Sequence, residues 1–216
     1  MQVFSPGLVL ALKIGALATF AATLAGLLLW RRYIALQPAI GDPVPQVVPF
    51  SHKHHVGDDG IDCRYCHTSV GNSAFAGMPP LSTCMTCHSQ LFTTAPVLAP
   101  LRTAFAGRQR LSWNRVYDLP DFVYFDHSIH IAKGIGCSSC HGRVDQMPLT
   151  ERQAPLSMQW CLGCHRAPES YLRPPGQIFN MRWRPAADQR QLGARLRRFY
   201  HLHSTRLLTS CSTCHH

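Results

Sequence analysis

Ten cysteines occupy five C-x-x-C pairs, and a histidine follows each pair at once: Cys63, Cys66 and His67; Cys84, Cys87 and His88; Cys137, Cys140 and His141; Cys161, Cys164 and His165; Cys211, Cys214 and His215. A zinc ribbon needs two such knuckles per metal and makes no demand on the next residue, and five knuckles do not pair. A thioredoxin-like dithiol occurs once, and a disulfide framework does not repeat one short spacing. Covalent c-type haem accounts for every element, because two thioethers fix the porphyrin edge while the adjacent histidine reaches the iron as proximal ligand. The spacing therefore predicts five covalently bound haem c groups, attached through these ten cysteines and ligated by His67, His88, His141, His165 and His215.

Candidate sixth ligands come from the other histidines. Phe50-Ser-His52-Lys-His54-His55 matches Phe125-Asp-His127-Ser-Ile-His130, so His52 aligns with His127, His55 with His130, and His54 with an isoleucine. Histidines three apart on a helical turn point the same way and can serve two different irons, which brings those haems close together. His54 is then spare. For the fifth iron, extending a helix over 188–203 puts His203 on the buried stripe and His201 opposite. The expected distal set is His52, His55, His127, His130 and His203, with Met78, Met147, Met158 and His216 as alternatives. A thioether ligand would raise the haem potential relative to imidazole, while packing against porphyrin is the ordinary role for such a methionine.

These residues sit in an internal repeat. Each Phe-x-His-x-x-His turn precedes one haem motif, and a Pro-Leu-Ser approach leads to a second (80–84 and 155–161); the motif intervals are 21 residues from Cys63 and 24 from Cys137. The expected organisation is an anchor over 1–33, a proline-rich extended linker over 34–49 (Pro38, Pro43, Pro45, Pro49), a dihaem module over 50–94, a connector over 95–120, a second dihaem module over 121–175, and a helix with the fifth haem over 176–216. About 180 residues outside the anchor leave roughly 37 per haem, so haem must form much of the core. Sixteen prolines and fifteen glycines predict a mostly irregular and α-helical chain with short helices near each haem. Its best soluble helix is 188–203, with Leu192, Leu196 and Phe199 on one face and Gly193 as a weak point.

From Gly7 to Trp30, 24 residues carry Lys13 as their only charge, and Arg31, Arg32 and Tyr33 follow. That length suits one N-terminal transmembrane helix; a cleaved leader would have a basic start and a small-residue cleavage site, and neither is present. Ala18, Ala22 and Gly26 make a face that another membrane helix could approach. The two arginines would place the carboxyl end in the cytoplasm, whereas haem attachment requires the exported side. Five motifs outweigh two arginines, and the haem domain is expected on the periplasmic side of a bacterial cytoplasmic membrane. The formal net charge of +10 does not call for nucleic acid, since no basic-aromatic module accompanies it and haem propionates would offset most of it.

The runs FSHKHHVGDDGIDCRYCHTSV, FAGMPPLSTCMTCHSQ, WNRVYDLPDFVYFDHSIHIAKGIGCSSCHGRVDQMPL and APLSMQWCLGCHRAPE, with one amino-terminal membrane helix, resemble the pentahaem cytochrome c subunit of bacterial alternative complex III, a quinol oxidoreductase. The likeness covers residues 50–216, and the H-x-x-H arrangement also resembles class III multihaem cytochromes. The resemblance implies an electron relay with an iron-sulfur subunit, polytopic quinol-binding membrane subunits and a monohaem cytochrome c as partners, and a terminal oxidase as a possible acceptor. Two other readings compete: a stand-alone membrane-anchored quinol dehydrogenase of the multihaem type, and a multihaem reductase. A reductase needs an open iron position and often has lysine in place of one attachment histidine, a change absent from all five motifs.

Overall fold

The structure, a computed structural model, describes residues 4–35 and 40–215. Pro38 and His216 lie outside them. The chain divides into two compact units, residues 1–39 and 40–216, taken separately below.

The first unit is helix α1, Pro6–Ala35. Over Pro6–Tyr33 it is long and apolar enough to cross a membrane, and none of its apolar window is buried within the protein. Thr19 and Thr23 donate their hydroxyls to the carbonyls of Gly15 and Thr19. Returned to the backbone in this way, they present no unpaired polar atom on an apolar surface.

The second unit has no named strand among its described residues; its only β pairings are the isolated bridges Pro43 with Glu151, Val123 with His215 and Ile135 with Leu172. Short helices dominate: α2 Cys63–Cys66, α3 Leu81–His88, α4 Ala99–Ala106, α5 His127–Ala132, α6 Ser138–His141, α7 Met158–Arg166, α8 Gln189–Phe199, α9 Thr205–Leu208 and α10 Cys211–Cys214. Four start on side-chain caps: Asp62 accepts from Arg64, Asp126 from Ser128 and Ile129, Ser157 from Trp160, and Ser204 from Leu207. A π-helical turn, Lys53–Asp58, carries the first histidine group.

From Ile40 the chain belongs to the second unit, opening on a turn at 40–41 and running irregularly to Phe50. Gly41 and Val44 donate backbone N–H to the carbonyls of Arg152 and Thr150, and Val44 and Val48 are buried. Gln46 and Asn114 exchange backbone and side-chain hydrogen bonds, which ties this strap to the 95–120 stretch.

The buried apolar cluster is small: Leu172, Leu196 and Tyr200, with Ile135, Leu192 and Leu202 against it. Full burial of Leu172 contributes about 2 kcal/mol. Helix α8 differs from the sequence expectation in two ways. Its inner face is Gly193, Leu196 and the adjoining Tyr200, while Phe199 is exposed. It also ends four residues before His203. His201 takes a left-handed φ of 49°, its N–H donates to the Arg198 carbonyl, and the Leu202 N–H donates to that of Arg197. This paired closure terminates a helix, usually with glycine at the left-handed position; a histidine there hid the stop. Gly193 is explained by its contact, since a Cβ at that position would run into the Glu169 carbonyl.

Candidate haem-binding site

Each C-x-x-C pair lies on a helical turn. At the first, third and fifth motifs the histidine N–H donates to the carbonyl of the first cysteine, at 2.9 Å in every case; at the second and fourth the histidine is itself helical. Residues i, i+3 and i+4 share a helix face, so this turn presents two thiols and an imidazole on one side.

Opposite four of these imidazoles stands another. Ring centroids lie 6.4 Å apart for His52 and His67, 6.1 Å for His55 and His88, 6.3 Å for His127 and His141, and 6.2 Å for His130 and His165. A metal–imidazole bond is about 2 Å and the ring centre lies roughly 1 Å behind its nitrogen, so one metal between two imidazoles sets their centres about 6 Å apart. The ring nitrogens support the same reading. Nδ1 donates to a backbone carbonyl in His55 (Ser51), His67 (Gly77), His88 (Leu91), His127 (Ala74), His130 (Asp126), His165 (Leu208) and His215 (Phe122). Carbonyls only accept, so Nδ1 carries the proton and the Nε2 lone pair is left able to ligate a metal. His52 Nδ1 meets a hydroxyl instead, Thr150 Oγ1 at 2.9 Å.

Both repeats build their histidine turns alike. Phe50 stacks on His55 and meets His52 edge-on; Phe125 stacks on His130 and meets His127 edge-on. His54 turns to Asp59, its Nε2 3.6 Å from the carboxylate. The fifth motif is different. His215 stacks on Phe122 at 5.9 Å, and His203, exposed beyond the end of α8, makes no ring contact with it. Met78 and Met158 are largely exposed, whereas Met147 is buried and its carbonyl accepts the Lys53 N–H.

Burial lowers the pKa of His52 and His141 to about 4, with neighbouring imidazoles adding to the effect, so both are neutral and able to ligate. Burial raises Cys137 and Cys164 to about 11 and Cys140 to about 12. Surroundings that disfavour thiolate suit a thioether, which carries no charge. Among the described residues, no three of His, Cys, Asp and Glu converge where a small ion could sit. The residues therefore fit a flat group held at one edge by two sulfurs and gripped axially by two imidazoles.

The sites adjoin in an order that differs from the sequence. Cys84 lies within electrostatic range of Cys66, Cys63 of Cys137, Cys140 of Cys161 and Cys164, and Cys161 of Cys214. His141 likewise neighbours His67 and His52. These neighbours link the motifs in the order second, first, third, fourth, fifth. Sequence reasoning had no signal for the joint between first and third, which depends on the turn at Lys53–Asp58 packing on Val144–Gln146 through Gly57 and the Asp145 carbonyl. It also missed Arg173, a buried guanidinium that donates to Ser138 and Ser139 within the third motif and stacks 4.6 Å over Trp183.

No family model matches the chain. Over 97 residues it is 34% identical to the multiheme cytochrome c subunit of menaquinone reductase from Nitratidesulfovibrio vulgaris, a stretch covering 44% of this chain and 45% of that protein. The chain thus spans about half the length of the curated relative it matches, and that likeness supports a multihaem cytochrome c.

Proposed function

We propose that this chain is a membrane-anchored pentahaem cytochrome c that relays electrons inside a quinone-linked respiratory complex. The observation that carries the reading is the set of four facing imidazole pairs, each joining a motif histidine to one from a Phe-x-His-x-x-His turn. Bound haem supplies a one-electron redox change. The chain supplies the rest: ten cysteines fix the groups, nine described histidines ligate them, and backbone carbonyls hold seven of those imidazoles in the ligating tautomer. A haem taking both imidazoles of such a pair would have no open position for a substrate, which counts against the reductase reading at four of the sites. The fifth rests on His215 alone among the described residues.

The resemblance to alternative complex III supports electrons arriving from quinol oxidation through an iron-sulfur subunit and leaving to a monohaem cytochrome c or a terminal oxidase. Polytopic quinol-binding subunits lie beside α1 in this reading, and the haem domain is on the periplasmic side. The name of the Nitratidesulfovibrio relative favours a second reading in which electrons run the other way, toward menaquinone. Gentle detergent purification followed by rapid-mixing spectroscopy tests both. Co-purifying polytopic and iron-sulfur subunits, with haem reduced on adding quinol, support the first reading; haem oxidised on adding menaquinone supports the second. An isolated chain that oxidises quinol by itself overturns the relay in favour of a stand-alone dehydrogenase. Intact mass short of five covalent haems overturns the cofactor count.

A further inference from the structure

The two central sites exchange supports across the repeats. His127, from the second repeat, donates Nδ1–H to the carbonyl of Ala74 in the first, at 2.8 Å. His52, from the first repeat, meets the hydroxyl of Thr150 in the second, at 2.9 Å. Of the eight described imidazoles with a bonded Nδ1, His52 alone faces a side chain. Thr150 is itself fixed, because its carbonyl accepts the Val44 N–H at 3.1 Å within the bridge that joins Pro43 to Glu151. Its hydroxyl is therefore delivered to His52 by backbone pairing.

We propose that Thr150 is a positioning residue for the distal ligand of the first haem: its hydroxyl accepts the His52 Nδ1–H, turns Nε2 toward the iron, and gives this haem a different potential from the third. The inference rests on the haem reading above. A hydroxyl oxygen is a poorer acceptor than an amide carbonyl, so His52 is the less electron-rich imidazole, and ferric iron at its site is stabilised less than at the His127 site. The first haem accordingly has the higher potential of the central pair as far as this contact decides it.

The test compares Thr150→Val, which keeps the shape and removes the acceptor, with Thr150→Ser, which keeps the hydroxyl, both in the full-length protein. Intact mass counts the haems; redox titration and EPR read each one. The expected result is five covalent haems in both variants. In Thr150→Val one redox transition of five moves upward and one low-spin signal changes its g-values or loses intensity to high spin, while Thr150→Ser overlays the wild type. Unchanged titration and spectra in Thr150→Val overturn the proposal, as does a serine variant that shifts as far as valine. His52→Ala separates the two levels of inference: if it leaves all haems low-spin, the ligand assignment beneath the proposal fails, independently of Thr150.

Discussion

A histidine whose Nδ1 is bound to a carbonyl has only Nε2 to offer, so the chemistry of each imidazole is fixed by one backbone atom. For His130 that atom is the Asp126 carbonyl, 2.7 Å away and one helical turn back. Replacing His130 by alanine should convert one haem in five to a high-spin form while all five stay covalently attached; EPR and intact mass read this, and unchanged spin counts against His130 as a ligand. Much of this level was legible in the sequence. Aligning Phe50 with Phe125 singles out His52, His55, His127 and His130, the four imidazoles that face a motif histidine, and leaves His54, which turns to Asp59. His203 was not legible, because its position depended on a helix continuing through His201, and no composition rule flags a histidine in left-handed backbone. The acceptors of Nδ1 were equally hidden, since carbonyls leave no mark in a sequence.

Helix α8 offers a test of how elements are held. In an open helix, replacing glycine by alanine gains about 1 kcal/mol. At Gly193 the added methyl meets the Glu169 carbonyl, and overpacking of that kind costs about 1–3 kcal/mol. The loss wins, and Gly193→Ala should lower the melting temperature; a higher one would show that the 168–170 turn yields freely. Arg197, ion-paired with Glu169, braces the same approach. The short helices carrying the cysteines follow directly from C-x-x-C-H, because a turn is needed to bring residues i, i+3 and i+4 to one face. The π-helical widening at Lys53–Asp58, in contrast, has no periodic signal; it replaces the tighter α turn used at His127–Ala132.

At the largest scale, neighbouring cysteines link the motifs of the second unit into a series whose ends are the second and fifth. A high-spin iron made by His55→Ala then has one haem neighbour, whereas one made by His130→Ala has two, and pulsed EPR should find faster relaxation for the latter. Equal relaxation would contradict that series. Ferrous protein should bind carbon monoxide at no more than one haem in five, and a larger response would mean that the paired imidazoles do not hold. Helix α1 should keep the full chain in the membrane through an alkaline carbonate wash, with release counting against an anchor. The overall order was not legible from spacing because the joint between repeats is made by Gly57, Asp145, Thr150 and Ala74, residues without haem chemistry of their own. That exchange bears on maturation. A chain emerging from its amino terminus presents His52 almost a hundred residues before Thr150 arrives to steady it, so the first site is completed only after every ligand of the second and third has been made. Truncation after residue 67 and before residue 150 would leave the first site without its Thr150 support, even though both its cysteines and both its imidazoles had already been made.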